Sequence, residues 1–159
     1  MAWNPLAISG AVVLDANAAI SISAKEATTQ ANAKATLLRY TNAGYLFYAP
    51  GVIVSETLYA LCKQEGNSLV TLAEYALAVS DFDALMGRIQ PPPSGDASLV
   101  HRASQICDGY GASRSADAIY IALAEELSQT YTTRLMTFDR DLPKQAARNA
   151  SAVTVHLLT

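Results

Sequence analysis

Four acidic residues stand out by the company they keep. Asp15 closes the run Val12-Val13-Leu14, and Asp139 closes Leu135-Met136-Thr137-Phe138. Glu56 lies one turn into Val52-Ile53-Val54-Ser55-Glu56-Thr57-Leu58, and Asp117 lies inside Ser115-Ala116-Asp117-Ala118-Ile119-Tyr120-Ile121-Ala122-Leu123-Ala124. Each alone has an ordinary explanation, since an Asp after a strand often caps the next helix and the helix dipole favours an acid in the first turn. Those roles do not explain charges set in such apolar surroundings, where ionised groups persist only when paired or metal-bound. Beside the four acids, only Arg114 and Arg140 are ready basic partners. Gathered carboxylates repel one another and either protonate or hold a cation. Oxygen donors without Cys or His suit Mg²⁺ or Mn²⁺. One or two such ions orient a phosphodiester, activate a bound water and stabilise the leaving oxygen.

Bulk composition sets outer limits, and its acidic balance alone weighs weakly against nucleic-acid binding. The chain of 159 residues is long enough to bury a core and has the length of one domain, expected to span 1–159. Apolar types make up 51% and charged types 16%, well away from the composition of a disordered chain. With 11 Lys+Arg against 14 Asp+Glu the net charge is −3, so no long-range field draws in a phosphate backbone. A polyanion site therefore needs local bases or bound cations. Cys62 and Cys107 are too few and too far apart for a disulfide framework or a zinc site, and read as two buried small hydrophobes. The apolar stretch from Leu6 to Ile20 lacks a basic lead and is broken by Asp15 and Asn17, so it reads as neither signal peptide nor membrane span. A cytoplasmic protein is expected.

The elements that must position these acids alternate along the chain. Ala11 to Leu14 reads as a strand buried on both faces, followed by a helix over Ala27 to Asn42 that Gly44 ends. Tyr45 to Tyr48 predicts a second strand, stopped by Pro50-Gly51, and Val52 to Lys63 and Ser68 to Val79 predict two helices. Leu85 to Ile89 reads as a short strand before the Pro91 to Gly95 break. Asp96 then stands at an N-cap position before a helix to about Asp108, with a turn at Gly109-Tyr110-Gly111. The strongest helical pattern runs from Ser115 to Gln129, the next strand from Thr133 to Phe138, a helix from Pro143 to Ala150, and a last strand from Val153 to Leu157. This order predicts an α/β protein with a mostly parallel sheet of four to five strands and helices on both faces. In such a sheet ligands bind at the carboxyl ends of the strands, where all four acids could converge.

The ordered set Val13-Leu14-Asp15-Ala16-Asn17, Ser55-Glu56, Ser115 to Ala124 and Thr137-Phe138-Asp139-Arg140-Asp141-Leu142 resembles the PIN-domain nucleases, and among them the VapC-type toxins of bacterial toxin–antitoxin pairs. The resemblance covers nearly the whole chain. It implies a three-layer α/β/α sandwich and endonucleolytic, Mg²⁺- or Mn²⁺-dependent cleavage of RNA. By the same match Asp15, Glu56, Asp117 and Asp139 are metal-binding and catalytic, Asn17 and Thr137 orient them, and Asp141 is an extra acid. It further implies a homodimer and a small antitoxin partner. The proline-rich Pro91 to Gly95 insert and the long Met1 to Gly10 segment depart from the pattern without touching the four acids.

Other residues carry less. Arg114 and Arg140 are candidates for holding RNA phosphates, with plain solvated charge an equal alternative. His101 and His156 show no ligand spacing, and Tyr45, Tyr48, Tyr59 and Tyr120 fall in patterns where core packing is the default. A haloacid-dehalogenase-type phosphatase would need a second Asp two residues after the first, where Asn17 stands. A receiver domain would need paired acids at the first strand and a late lysine. The rival from another class is a non-catalytic PIN-like module that binds RNA or protein, which the intact acids disfavour.

Overall fold

The computed structural model describes residues 8–24, 27–110 and 115–159. Strand β1 (Gly10–Leu14) is buried at all five positions, as a continuous apolar run at the middle of a parallel sheet should be. It pairs in parallel with β2 (Tyr45–Tyr48) on one side and with β4 (Thr133–Thr137) on the other. Strand β3 (Ile89–Gln90) lies beyond β2 and β5 (Val155–Leu157) beyond β4, giving a five-stranded parallel sheet in the order β3-β2-β1-β4-β5.

Helices α1 (Ala16–Ser23), α2 (Ala27–Asn42), α3 (Val52–Gly66) and α4 (Leu72–Met86) pack among themselves. Helices α5 (Asp96–Tyr110), α6 (Ser115–Ser128) and α7 (Leu142–Asn149) form a second group. Crossovers to β2 and β3 run one way along the sheet, and those to β4 and β5 the other. Right-handed connections therefore send the two helix groups to opposite faces. The result is the expected α/β/α sandwich. Because the winding direction reverses between β1 and β4, a crevice opens at the carboxyl ends of these two strands.

Several elements differ from the sequence reading, each for a physical reason. Helix α1 was not foreseen: its eight residues make barely two turns and mix Asn17, Ser21 and Ser23 with apolar ones, so it shows little periodicity, yet it starts at once because Asp15 caps it through Oδ1 to the Ala16 N–H at 2.7 Å. Helix α4 begins later than expected and takes Leu85 and Met86 from the predicted strand at Leu85 to Ile89, with Gly87 and Arg88 forming a turn. Thr71 and Glu74 form a reciprocal capping box, and Ala78, Phe82 and Leu85 make one buried stripe that carries the helix to Met86. Only Ile89–Gln90 remains as strand. The predicted turn at Gly109-Tyr110 is the last turn of α5, while Gly111 lies outside the described residues. Asp96 opens α5, but its carboxylate accepts the Gly51 N–H at 2.9 Å and so pins the start of α3. Gly44, in contrast, ends α2 as expected, with φ 80°.

Cys62 is exposed and Cys107 half-buried, against the expectation of two buried thiols. Helix α3 turns Ile53, Thr57 and Leu61 inward, which leaves Cys62 on the outer side. His156 takes the strand-packing role, half-buried and 2.7 Å from the Tyr40 hydroxyl through Nδ1. No described helix is long and apolar enough to cross a membrane.

Candidate active site at the carboxyl ends of β1 and β4

Asp15 is the first residue after β1. Its N–H continues the ladder to the Met136 carbonyl at 3.1 Å, which fixes the backbone between the two central strands. The side chain is 5% exposed. Its Oδ1 takes the Ala16 N–H, and its Oδ2 takes the Thr137 hydroxyl at 2.7 Å. Thr137 is itself fully buried, with its oxygen accepting from the Asp139 N–H at 2.9 Å and from Asn17 Nδ2 at 3.1 Å. One hydroxyl thus donates once and accepts twice, which saturates it and locks it in place. Asn17 closes the network by accepting the Phe138 N–H at 2.9 Å. Thr137 thus bonds Asp15 directly, and Asn17 bonds Thr137 and the Phe138 backbone.

Two further acids reach the same place from other helices. A cleft of about 290 Å³ is lined by Asp15, Asn17, Ile20, Glu56, Tyr59 and Asp117, so α1, α3, α6 and the end of β1 all contribute. Burial pushes the Asp15 carboxyl up to about 6; the Asp117 and Glu56 charges add to that push, while the Thr137 hydroxyl and the Ala16 N–H oppose it. Glu56 is held by a residue the sequence reading left to the core. Tyr120, 1% exposed, donates its hydroxyl to Glu56 Oε2 at 2.6 Å. Burial, then that bond and the surrounding carboxylates, raise the Tyr120 phenol far above its ordinary value, so it stays a donor. Gln145 of α7 reaches Asp117 Oδ2 at 3.5 Å. The missed signal was spacing: Tyr120 follows Asp117 by three positions, one helical turn on the same face.

Asp139 is placed differently. It follows β4 and is tied to Thr137 by its backbone, yet it is not among the residues lining the cleft. Its Oδ1 accepts the Asp141 N–H at 2.8 Å, just ahead of α7. Asp141 is half-exposed, and Lys144 Nζ lies 3.9 Å from its Oδ1. Arg140 is exposed beside them, and Arg114 lies outside the described residues. Tyr59, expected in the core, is 70% exposed at the cleft instead. It follows Glu56 by three positions, and the stripe that buries Ile53, Thr57 and Leu61 turns it outward.

The donor chemistry fits a hard divalent cation. Three carboxylates face one small cleft, and the buried one is pushed towards protonation by its burial and, to a lesser degree, by its neighbours' charge. Among the described residues no three acids converge into a finished ligand cage. Mg²⁺ does not need one, because it binds through one or two carboxylates and keeps several waters. A larger cleft of about 570 Å³, between the start of α3 and the α5–α6 pair, is walled mainly by Val52, Val100, Ala103 and Ile119, and lacks this chemistry.

Comparison with known proteins fits this architecture. The family model for the PIN domain matches residues 12–148. A chain in the crystal structure of VapBC2 from Rickettsia felis, bound to a DNA fragment from their promoter, superposes with a TM-score of 0.63 at 10% identity, over 94% of this chain and 99% of that one. A search of curated proteins gives no match.

Proposed function

We propose that this chain, which belongs to the PIN-domain family of nucleases, is a Mg²⁺- or Mn²⁺-dependent endoribonuclease acting as the toxin of a toxin–antitoxin pair. The observation that carries the reading is the meeting of Asp15, Glu56 and Asp117, from three separate elements, at one cleft beside the strand-order reversal. Asp15, Glu56 and Asp117 would hold the cation, with Asp139 the fourth acid of the site. Bound there, a divalent ion would orient the phosphodiester, lower the pKa of a water and offset charge on the leaving oxygen. The chain's own work is to aim the carboxylates and keep them partly dry. Thr137 and Asn17 fix Asp15, Tyr120 fixes one oxygen of Glu56, and Gln145 steadies Asp117. Arg140 and Arg114 would steady the RNA phosphates.

The toxin assignment rests on the VapC-like motifs and on the fold shared with a chain of the Rickettsia felis complex. Exposed apolar side chains support partners. Val54, Leu58, Val79, Phe82 and Met86 line a cleft of about 310 Å³ between α3 and α4, and Leu69, Leu72 and Leu77 lie exposed near it in sequence. We assign this region to a homodimer, with the antitoxin covering an adjacent groove. The test is cleavage of RNA in Mg²⁺ or Mn²⁺, abolished by chelator, with light scattering run beside it. Cleavage indifferent to chelator overturns the metal assignment, and a monomer at high micromolar concentration overturns the dimer.

A further inference from the structure

We propose that Tyr59 is a stacking shelf for a base of the RNA beside the acidic cleft. The inference rests on the nuclease reading above and adds how the substrate is gripped. Tyr59 is 70% exposed, and it lines the same cleft as Asp15, Glu56 and Asp117. Solvent exposure of so large a ring costs apolar contact, and here it is spent beside the charges. Ile20 of α1 gives the cleft a second apolar contribution.

Among the described residues that line the cleft none is Lys or Arg, and the whole chain carries −3. Beside the cation and the arginines assigned to the phosphates, contacts indifferent to charge then add binding energy near the scissile phosphate. Stacking of a base on an aromatic ring is such a contact, and every base offers a π-face for it. A base inside a duplex is already stacked on its neighbours, so the shelf is open only to unpaired nucleotides.

The experiment uses the full chain and a short fluorescent single-stranded RNA, with binding read by anisotropy across a salt series and cleavage by steady-state kinetics. Tyr59→Ala should weaken binding about 5- to 150-fold, the range for losing one stacked base. The loss should fall in KM more than in kcat, and Tyr59→Trp should restore it. The slope of affinity against salt should not change, because no phosphate contact is removed. A duplex of the same sequence should bind the wild type weakly and be indifferent to Tyr59→Ala. Unchanged single-strand affinity in Tyr59→Ala, while the wild type binds and cleaves, overturns the shelf alone. A shift of Tyr59→Ala towards monomer with RNA affinity intact overturns it too, by assigning the ring to a protein interface. A wild type that neither binds nor cleaves RNA removes the shelf together with the nuclease reading.

Discussion

Two polar clusters of this molecule are built on opposite principles. On the α5–α7 side, Arg102 offers Nε and Nη2 to the two oxygens of Glu125, at 2.5 and 2.8 Å, and Nη2 also reaches the Asn149 carbonyl at 2.6 Å. That cluster is a bidentate pair of opposite charges joining three helices, and it needs nothing from outside. At the end of β1, Asp15, Glu56 and Asp117 bring like charges together, and Thr137, Tyr120 and Gln145 give them hydrogen bonds from neutral donors. Neutral donors aim a carboxylate without cancelling its charge. The first arrangement serves the fold; the second leaves a field that an external cation can satisfy. Function and stability should therefore separate cleanly between the two clusters.

The largest expected break of this contrast is Asp117→Asn. The change keeps shape but removes one negative charge, so cleavage should fall by at least about 100-fold as the ion loses a ligand. Stability of the metal-free variant should stay level or rise, because a charge conflict has been relieved. Added Mg²⁺ should raise the melting temperature of the wild type more than that of the variant. Melting curves with and without Mg²⁺, beside a cleavage assay, decide the matter. An Asp117→Asn protein that is destabilised yet fully active would overturn the site.

Next in size is the pH response of the metal-free protein. The native Asp15 carboxyl is raised from 3.8 to about 6, so the folded state binds its proton more tightly than the unfolded chain does. Below about pH 4 both states are protonated and Asp15 favours folding fully. As pH rises through 6 that advantage disappears, a loss of about 3 kcal/mol. Wild type should thus grow less stable between pH 4 and 6 relative to Asp15→Asn, whose side chain does not titrate. Denaturant midpoints of the two proteins across that window, in chelator, measure the gap. Wild-type stability that does not fall relative to Asp15→Asn across that window contradicts the raised Asp15 carboxyl.

The contrast also explains what could be read from sequence. Asp15, Glu56 and Asp117 were legible because a charge inside an apolar run breaks a pattern, and patterns are what a sequence displays. The buried strands β1 and β4 were legible for the same reason. Helix α1 was not, since Ala16 to Ser23 makes barely two turns and buries Ser23 along with its apolar residues, too short and mixed a stretch for a period to show. The aromatic partners were hidden differently. Tyr59 and Tyr120 sit in equally helical patterns, yet one is exposed and the other buried. Only the rotation of each helix against the sheet decides which, and that is a tertiary fact. The capping box at Thr71 and Glu74 was written in the chain and would have moved the predicted start of α4.

Tyr120→Phe sharpens the comparison from inside the acidic cluster. The ring and its burial are retained, and only the donor to Glu56 Oε2 is lost. Glu56 then loses a fixed orientation but keeps its charge, so Mn²⁺ affinity and cleavage should drop about 10-fold, the lower range for a residue that orients a ligand. Because the vacated space is small, the melting temperature should change little. A merely structural hydroxyl would show the reverse, a lower melting temperature with Mn²⁺ affinity unchanged.

The smallest effect is expected on the other side of the molecule, and its direction is the opposite. Arg102→Met keeps the aliphatic stem and removes the guanidinium that ties Glu125 to Asn149. The side chains of the pair are 37% and 25% exposed, so water takes up part of what is lost. A fully buried pair would cost more, because an orphaned charge there has no solvent to turn to. A discounted cost of about 1–2 kcal/mol follows for a charged, bidentate but half-solvated contact. For a chain of this length that corresponds to a melting temperature lower by about 2–8 °C. Mg²⁺ should stabilise Arg102→Met as much as it stabilises the wild type, and specific activity at a temperature where both are folded should match. The pair joins α5 to α6, and α6 also carries Asp117, so the separation is not trivial. If removing Arg102 lowers Mg²⁺ affinity as well, the two clusters are coupled through α6, and the division between holding the fold and holding the ion fails at that helix.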